Sequence, residues 1–181
     1  MKKLLFVVTL VLLLCFTFSC QNKAEKAELE KFRAQAKLEE QNKEVFRKVV
    51  EECNKGNYEF LRDVYAPDYV GFLPSESLKS MSTEEVIELL KIYRESFPDL
   101  HYSVKESVAV GDLVITRSMV TGTHRGEFQG IPATGNRVEF SSINMCRLRD
   151  GKIVEERQED DVLGMMQQLG MELKPKVAEK K

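Results

Sequence analysis

Near residue 100 the hydrophobic pattern changes period, and that change restricts the fold more than any other feature of the chain. Val45, Phe46, Val49, Val50 and Cys53 recur at helical spacing, and Asn54-Lys55-Gly56-Asn57 closes that segment. A short helix from Tyr58 to Tyr65 and an extended stretch through Tyr69-Val70-Gly71-Phe72 are expected next, broken by Pro67 and Pro74. Ser82 with Glu85 three residues on makes a capping box. The helix it opens buries Val86, Leu89, Leu90 and Tyr93 and ends at Phe97-Pro98-Asp99. From Tyr102 onward the period is two. Tyr102–Val110 and Leu113–Thr123 meet at Gly111-Asp112, and Arg137–Arg149 and Lys152–Asp161 flank the hairpin signal Asp150-Gly151. A short helix, Gly164 to Leu169, closes the pattern. Helices followed by antiparallel strands predict an α+β domain with its helices packed on one face of a curved sheet.

The N-terminus carries a different message. Lys2 and Lys3 precede an apolar run from Leu4 to Phe18, interrupted by Thr9 and Thr17, and Ser19-Cys20 ends it before polar Gln21-Asn22-Lys23. A basic start and a short apolar run are the marks of an export signal, and the run falls short of the roughly 20 apolar residues of a membrane span. A small residue before Cys resembles the bacterial lipobox, which implies a signal over residues 1–19 and a lipid on Cys20 holding the protein at a bacterial membrane. An ordinary cleaved signal and an uncleaved anchor are the alternatives. Residues 20–41, rich in Ala, Glu, Lys and Gln with few apolar positions, read as a charged helical tether. Residues 42–170 read as one domain, and 171–181 as a loose tail.

Removing Lys2 and Lys3 with the signal takes the 27 Lys and Arg to 25, against 29 acids. That balance argues against nucleic acid, which favours a basic face. Cys53 and Cys146 remain as separate core residues rather than a disulfide. With only His101 and His124 in the chain, no Cys/His spacing points to a metal.

Residues from about Ser82 to Gly170 resemble the SnoaL-like polyketide cyclase family of the nuclear transport factor 2-like superfamily. The resemblance is carried by Phe97-Pro98-Asp99-Leu100, Gly111-Asp112, Gly122-Thr123-His124-Arg125-Gly126-Glu127-Phe128, Gly130-Ile131-Pro132 and Thr134-Gly135. It continues through Asp150-Gly151-Lys152-Ile153, Asp161 and Gln167-Gln168-Leu169-Gly170. It implies a cone-shaped barrel of bent antiparallel sheet, helices closing over an apolar pocket, and a homodimer through the sheet. Enzymes of this family close polyketide rings by an aldol reaction without metal or cofactor, and Asp161 stands at the position of their acid/base aspartate. The implied ligand is a small apolar or carbonyl-containing molecule. Arg157 and Gln158 replace the Trp and His that members commonly carry on the last strand, and Gly71 and Phe72 stand where many have a polar residue. The alternative is therefore a membrane-tethered protein that uses the same pocket only to bind.

A two-residue Asp150-Gly151 turn pairs Arg149 with Lys152. Without a bulge, one face then carries Leu148/Ile153, Cys146/Glu155, Asn144/Arg157, Ser142/Glu159 and Phe140/Asp161. Both faces are mixed in polarity, so only the resemblance, by placing Asp161 inside, selects this one. The expected site is Asp161 as acid/base with Asn144, Arg157, Glu159 and Phe140 on the pocket wall. Phe128 and Ile131 line or cover the pocket from the glycine-rich loop. His124 is a second catalytic candidate, against the alternative of a loop histidine bonded to backbone. The acidic run Glu155 to Asp161 could equally be a solvated edge.

Overall fold

In the computed structural model the described residues are 23–73, 79–172 and 174, with backbone alone for 2–22. Cys20 and the signal lie outside the described side chains. Among the described residues no helix is long and apolar enough to cross a membrane. The chain divides into two units, Met1–Leu38 and Glu39–Lys181. Among the described side chains of the first, the apolar Leu29, Phe32 and Leu38 are exposed.

The second unit holds the end of α1 (Lys2–Asn54), a 3-10 turn at Tyr58–Phe60, α2 (Leu61–Val64), β1 (Tyr65–Phe72) and α3 (Thr83–Ser96). It continues with β2 (His101–Val110), β3 (Leu113–Thr123), β4 (Arg137–Arg149), β5 (Lys152–Asp160) and α4 (Val162–Gln168). The unit begins slightly before the apolar stripe. Glu39 accepts from the backbone N–H of Gly111 at 2.8 Å, and the Asn42 amide donates to the Gly111 carbonyl at 3.1 Å. The predicted capping box opens α3: Ser82 N–H donates to Glu85 at 2.8 Å, and the Glu85 N–H to the Ser82 hydroxyl.

The sheet order is β1-β5-β4-β3-β2. It corrects two expectations. The five strands form an open sheet rather than a closed barrel, and the sheet is mixed, because β1 runs parallel to β5 while the other pairs are antiparallel. Two apolar clusters fill the helix-covered face. One gathers Phe46, Val49, Cys53, Leu61, Ile87, Val114 and Ile153; the other gathers Phe97, Val120, Phe128, Val138, Phe140 and Met165. Cys53 and Cys146 are free thiols in the first cluster. Burial pushes the Cys53 thiol up to about 12 and raises that of Cys146, so both are inert.

Candidate functional site

The site is set by a β-bulge. The Asp150-Gly151 turn does pair Arg149 with Lys152 and Leu148 with Ile153, but the next pair is Arg147 with Glu155, leaving Val154 as an extra residue. From there the partners are Cys146/Glu156, Asn144/Gln158 and Ser142/Asp160. Ile153 and Glu156 are both buried although three residues apart, which a strand of period two allows only through such an insertion. A one-residue shift sends every later side chain to the opposite face.

The inward row of β5 is therefore Glu156, Gln158 and Asp160, and it lines a cleft between the sheet, α1 and α3. The inner end has about 50 Å³ of free volume among Phe46, Val49, Val50, Cys53, Tyr65, Val86, Ser118, Asn144 and Glu156. The outer part holds about 310 Å³, walled by Leu89, Tyr93, Gln129, Phe140, Asp160 and Val162. Leu73, Leu90, Tyr102 and Gln158 line both, so the two are one cleft. Among the described residues lining it, two are acids and none is cationic.

A directed chain of hydrogen bonds runs along its floor. Glu156 accepts from the Tyr65 hydroxyl at 2.7 Å and the Tyr69 hydroxyl at 3.1 Å, both on Oε2, and from Asn144 Nδ2 at 2.9 Å on Oε1. Asn144 Nδ2 also donates to Gln158 Oε1 at 3.0 Å, and Gln158 Nε2 donates to both oxygens of Asp160 at 2.9 Å. Burial raises the Glu156 carboxyl above the usual range against the pull of these donors, and the charge of Asp160 adds to the rise. Burial likewise raises Asp160, opposed by hydrogen bonds from Ser142 and Gln158. Two dry carboxyls on one strand face are a means of moving protons at neutral pH.

A family model of SnoaL-like polyketide cyclases matches residues 43–169. The chain belongs to the SnoaL-like polyketide cyclase family. Wild-type IdmH of Streptomyces antibioticus superimposes with a TM-score of 0.65 at 35% identity, over 72% of this chain and 99% of that one. Aklanonic acid methyl ester cyclase AcmA of Streptomyces galilaeus is 29% identical over 128 residues, covering 68% of this chain and 87% of AcmA. The corresponding cyclase DnrD of Streptomyces peucetius is 40% identical over 60 residues, and the match spans only 41% of its length.

Within this SnoaL-like domain the structure brings together only part of the expected site. Asn144 and Phe140 line the cleft. Asp161 does not: it is exposed, and its carboxylate caps α4 by accepting the Gly164 N–H at 2.8 Å. Arg157 and Glu159 stand on the opposite face of β5 for the same reason, the bulge at Val154. Arg157 donates to Glu155 at 2.9 Å and lies over the Phe72 ring, and Glu159 is exposed. Phe128 is buried in the second apolar cluster, and Ile131 borders a shallow hollow with Leu163, Met166 and Met171. His124 is fully buried and stacks on Phe97. The Thr134 backbone N–H donates to its Nδ1 at 3.2 Å, which places the ring proton on Nε2, away from the cleft lining. The histidine orders its loop, as does Gly126, where a Cβ would run into the Glu95 carbonyl.

Proposed function

We propose that the domain is a cofactor-free acid/base enzyme of the cyclase type, with Asp160 as its base. The observation that carries this reading is the Asp160 carboxyl, raised by burial and aimed by Gln158 at the roomy part of an apolar cleft. The carboxylate takes a proton from a carbon beside a carbonyl, breaking the C–H bond and leaving an enolate. The enolate carbon attacks a second carbonyl of the same molecule, forming the C–C bond. The resulting alkoxide recovers the proton from Asp160, so atoms balance and the base is regenerated. A raised pKa makes the carboxylate a stronger base than in water. Tyr93 and Phe140 beside it exclude water and offer flat apolar walls to a ring.

Aklanonic acid methyl ester, named for the relatives above, is the first substrate to offer. Turnover by the purified domain and a loss of about a hundredfold or more in Asp160→Asn, with binding retained, supports the enzyme. Wild-type turnover unchanged by the substitution places the base elsewhere. Binding without turnover by the wild type leaves the same cleft as a ligand carrier.

The envelope address and the assembly belong to the same proposal. The N-terminal pattern supports export and a lipid on Cys20, and Cys20→Ser is then expected to lose lipid labelling and leave the membrane fraction. The outer sheet face, with Val108 and Ile143 exposed, supports a homodimer.

A further inference from the structure

The smaller end of the cleft contains a polar cluster that the proposed aldol chemistry does not use. Glu156 and Asp160 are four residues apart on one strand, about 13 Å between their backbone positions at 3.3 Å per residue. The Asn144 and Gln158 amides stand between the two carboxyls, so Glu156 is not the direct partner of Asp160 in one aldol step. Its surroundings are nevertheless built with care. A carboxylate has about four lone-pair sites. Three at Glu156 are taken, two on Oε2 by Tyr65 and Tyr69 and one on Oε1 by Asn144. Tyr65 and Tyr69 stack at 4.0 Å between ring centroids, which fixes the two hydroxyls on the same oxygen. One acceptor site on Oε1 remains, on a residue that lines the inner cavity among Phe46, Val49 and Val86.

Resting on the reading of the cleft as a substrate site, we propose that Glu156 recognises a hydroxyl on the buried end of an elongated ligand. The substrate is then an elongated molecule with a phenol or alcohol at the inner end and the reacting carbonyl carbons beside Asp160. An ammonium group fits less well. It would surrender part of its hydration to a carboxyl whose charge is already shared among three donors. A neutral hydroxyl brings one donor to one vacant acceptor.

The probes are 2-hydroxyanthraquinone, 2-methoxyanthraquinone and 2-aminomethylanthraquinone, titrated into the full chain lacking only its signal. The hydroxy probe is expected to bind about tenfold tighter than the methoxy probe, the worth of one buried hydrogen bond. It is also expected to shift the Glu156 carboxyl resonance. In Glu156→Gln the two tyrosine donors hold the amide oxygen, so the amide nitrogen replaces Oε1 and meets Asn144 Nδ2 donor to donor. The open acceptor is lost, and the advantage of the hydroxy probe over the methoxy probe should disappear. Equal affinity of the hydroxy and methoxy probes for the wild type overturns the proposal without recourse to any variant. Tightest binding of the ammonium probe overturns it in favour of a charged ligand. Asp160→Asn separates this inference from the acid/base reading: it should keep the hydroxyl preference while turnover is lost. A hydroxyl preference with no turnover in the wild type refutes the enzyme and leaves the recognition intact. No binding of any probe refutes both.

Discussion

Asp160 and Asp161 are neighbours in sequence with opposite placements, one lining the cleft and one capping α4, and their substitutions should separate cleanly. Asp161→Ala removes the acceptor of the Gly164 N–H and is expected to cost about 1 kcal/mol in chemical denaturation, with turnover intact. Asp160→Asn should do the reverse, losing turnover and little stability. A D161A enzyme with abolished activity and unchanged stability would return the chemistry to Asp161. Glu156 gives a second residue-scale test through pH. Its folded pKa lies above the unfolded value, so the folded state holds the proton more tightly. Its contribution is therefore favourable below the unfolded pKa of about 4 and is lost as pH rises through the folded pKa. Glu156→Gln carries no such term. The melting temperature of the variant minus that of the wild type should increase as pH is raised from about 4, and a difference independent of pH would show that burial leaves Glu156 unperturbed.

At the scale of the element, β5 turns on a single inserted residue. Inserting one alanine after Val154 should shift the register by one and bring Arg157 and Glu159 to the cleft face in place of Gln158 and Asp160. Two charges would then enter an apolar wall without the partners they have outside, at a cost of about 3 kcal/mol or more. Val154→Ala, which keeps the chain length, should cost less than about half of that. Urea unfolding of the two variants compares them directly, and equal losses would mean that the bulge does not hold the register. The same element explains what was legible in the sequence. The turn at Asp150-Gly151, the inward side of β4 at Phe140 and Asn144, and the capping box at Ser82 all follow from local chemistry. Parity along β5 does not, because the only local trace of the bulge is that Ile153 and a later acid are both buried at a spacing of three. Tyr65 and Tyr69 reach Glu156 across a parallel pairing with β1 that no hairpin rule predicts. His124 fell among the candidates by residue type, and only the packing of its loop shows it facing Phe97 and Thr134.

At the scale of the whole molecule, the outer sheet face is the surface left to explain. Register places Val108, Ile115, Met145 and Arg157 in one cross-strand row and Glu106, Arg117, Ile143 and Glu159 in the next. The first row is apolar over three strands. The second carries an ion pair at 2.8 Å between Arg117 and Glu106 beside the exposed Ile143. A two-fold axis through such a face would set each apolar row against its own copy and leave charges of both signs at the rim, as an isologous interface requires. We expect a homodimer by light scattering on the chain from Glu39 onward, where the compact unit starts. Ile143→Arg would replace an apolar contact in that interface by a bulky desolvated charge, yet in a monomer it only adds a surface cation. The variant is therefore expected to run at the monomer mass with its fold intact by circular dichroism. A wild-type monomer would refute pairing through the sheet, and so would an I143R dimer as tight as the wild type.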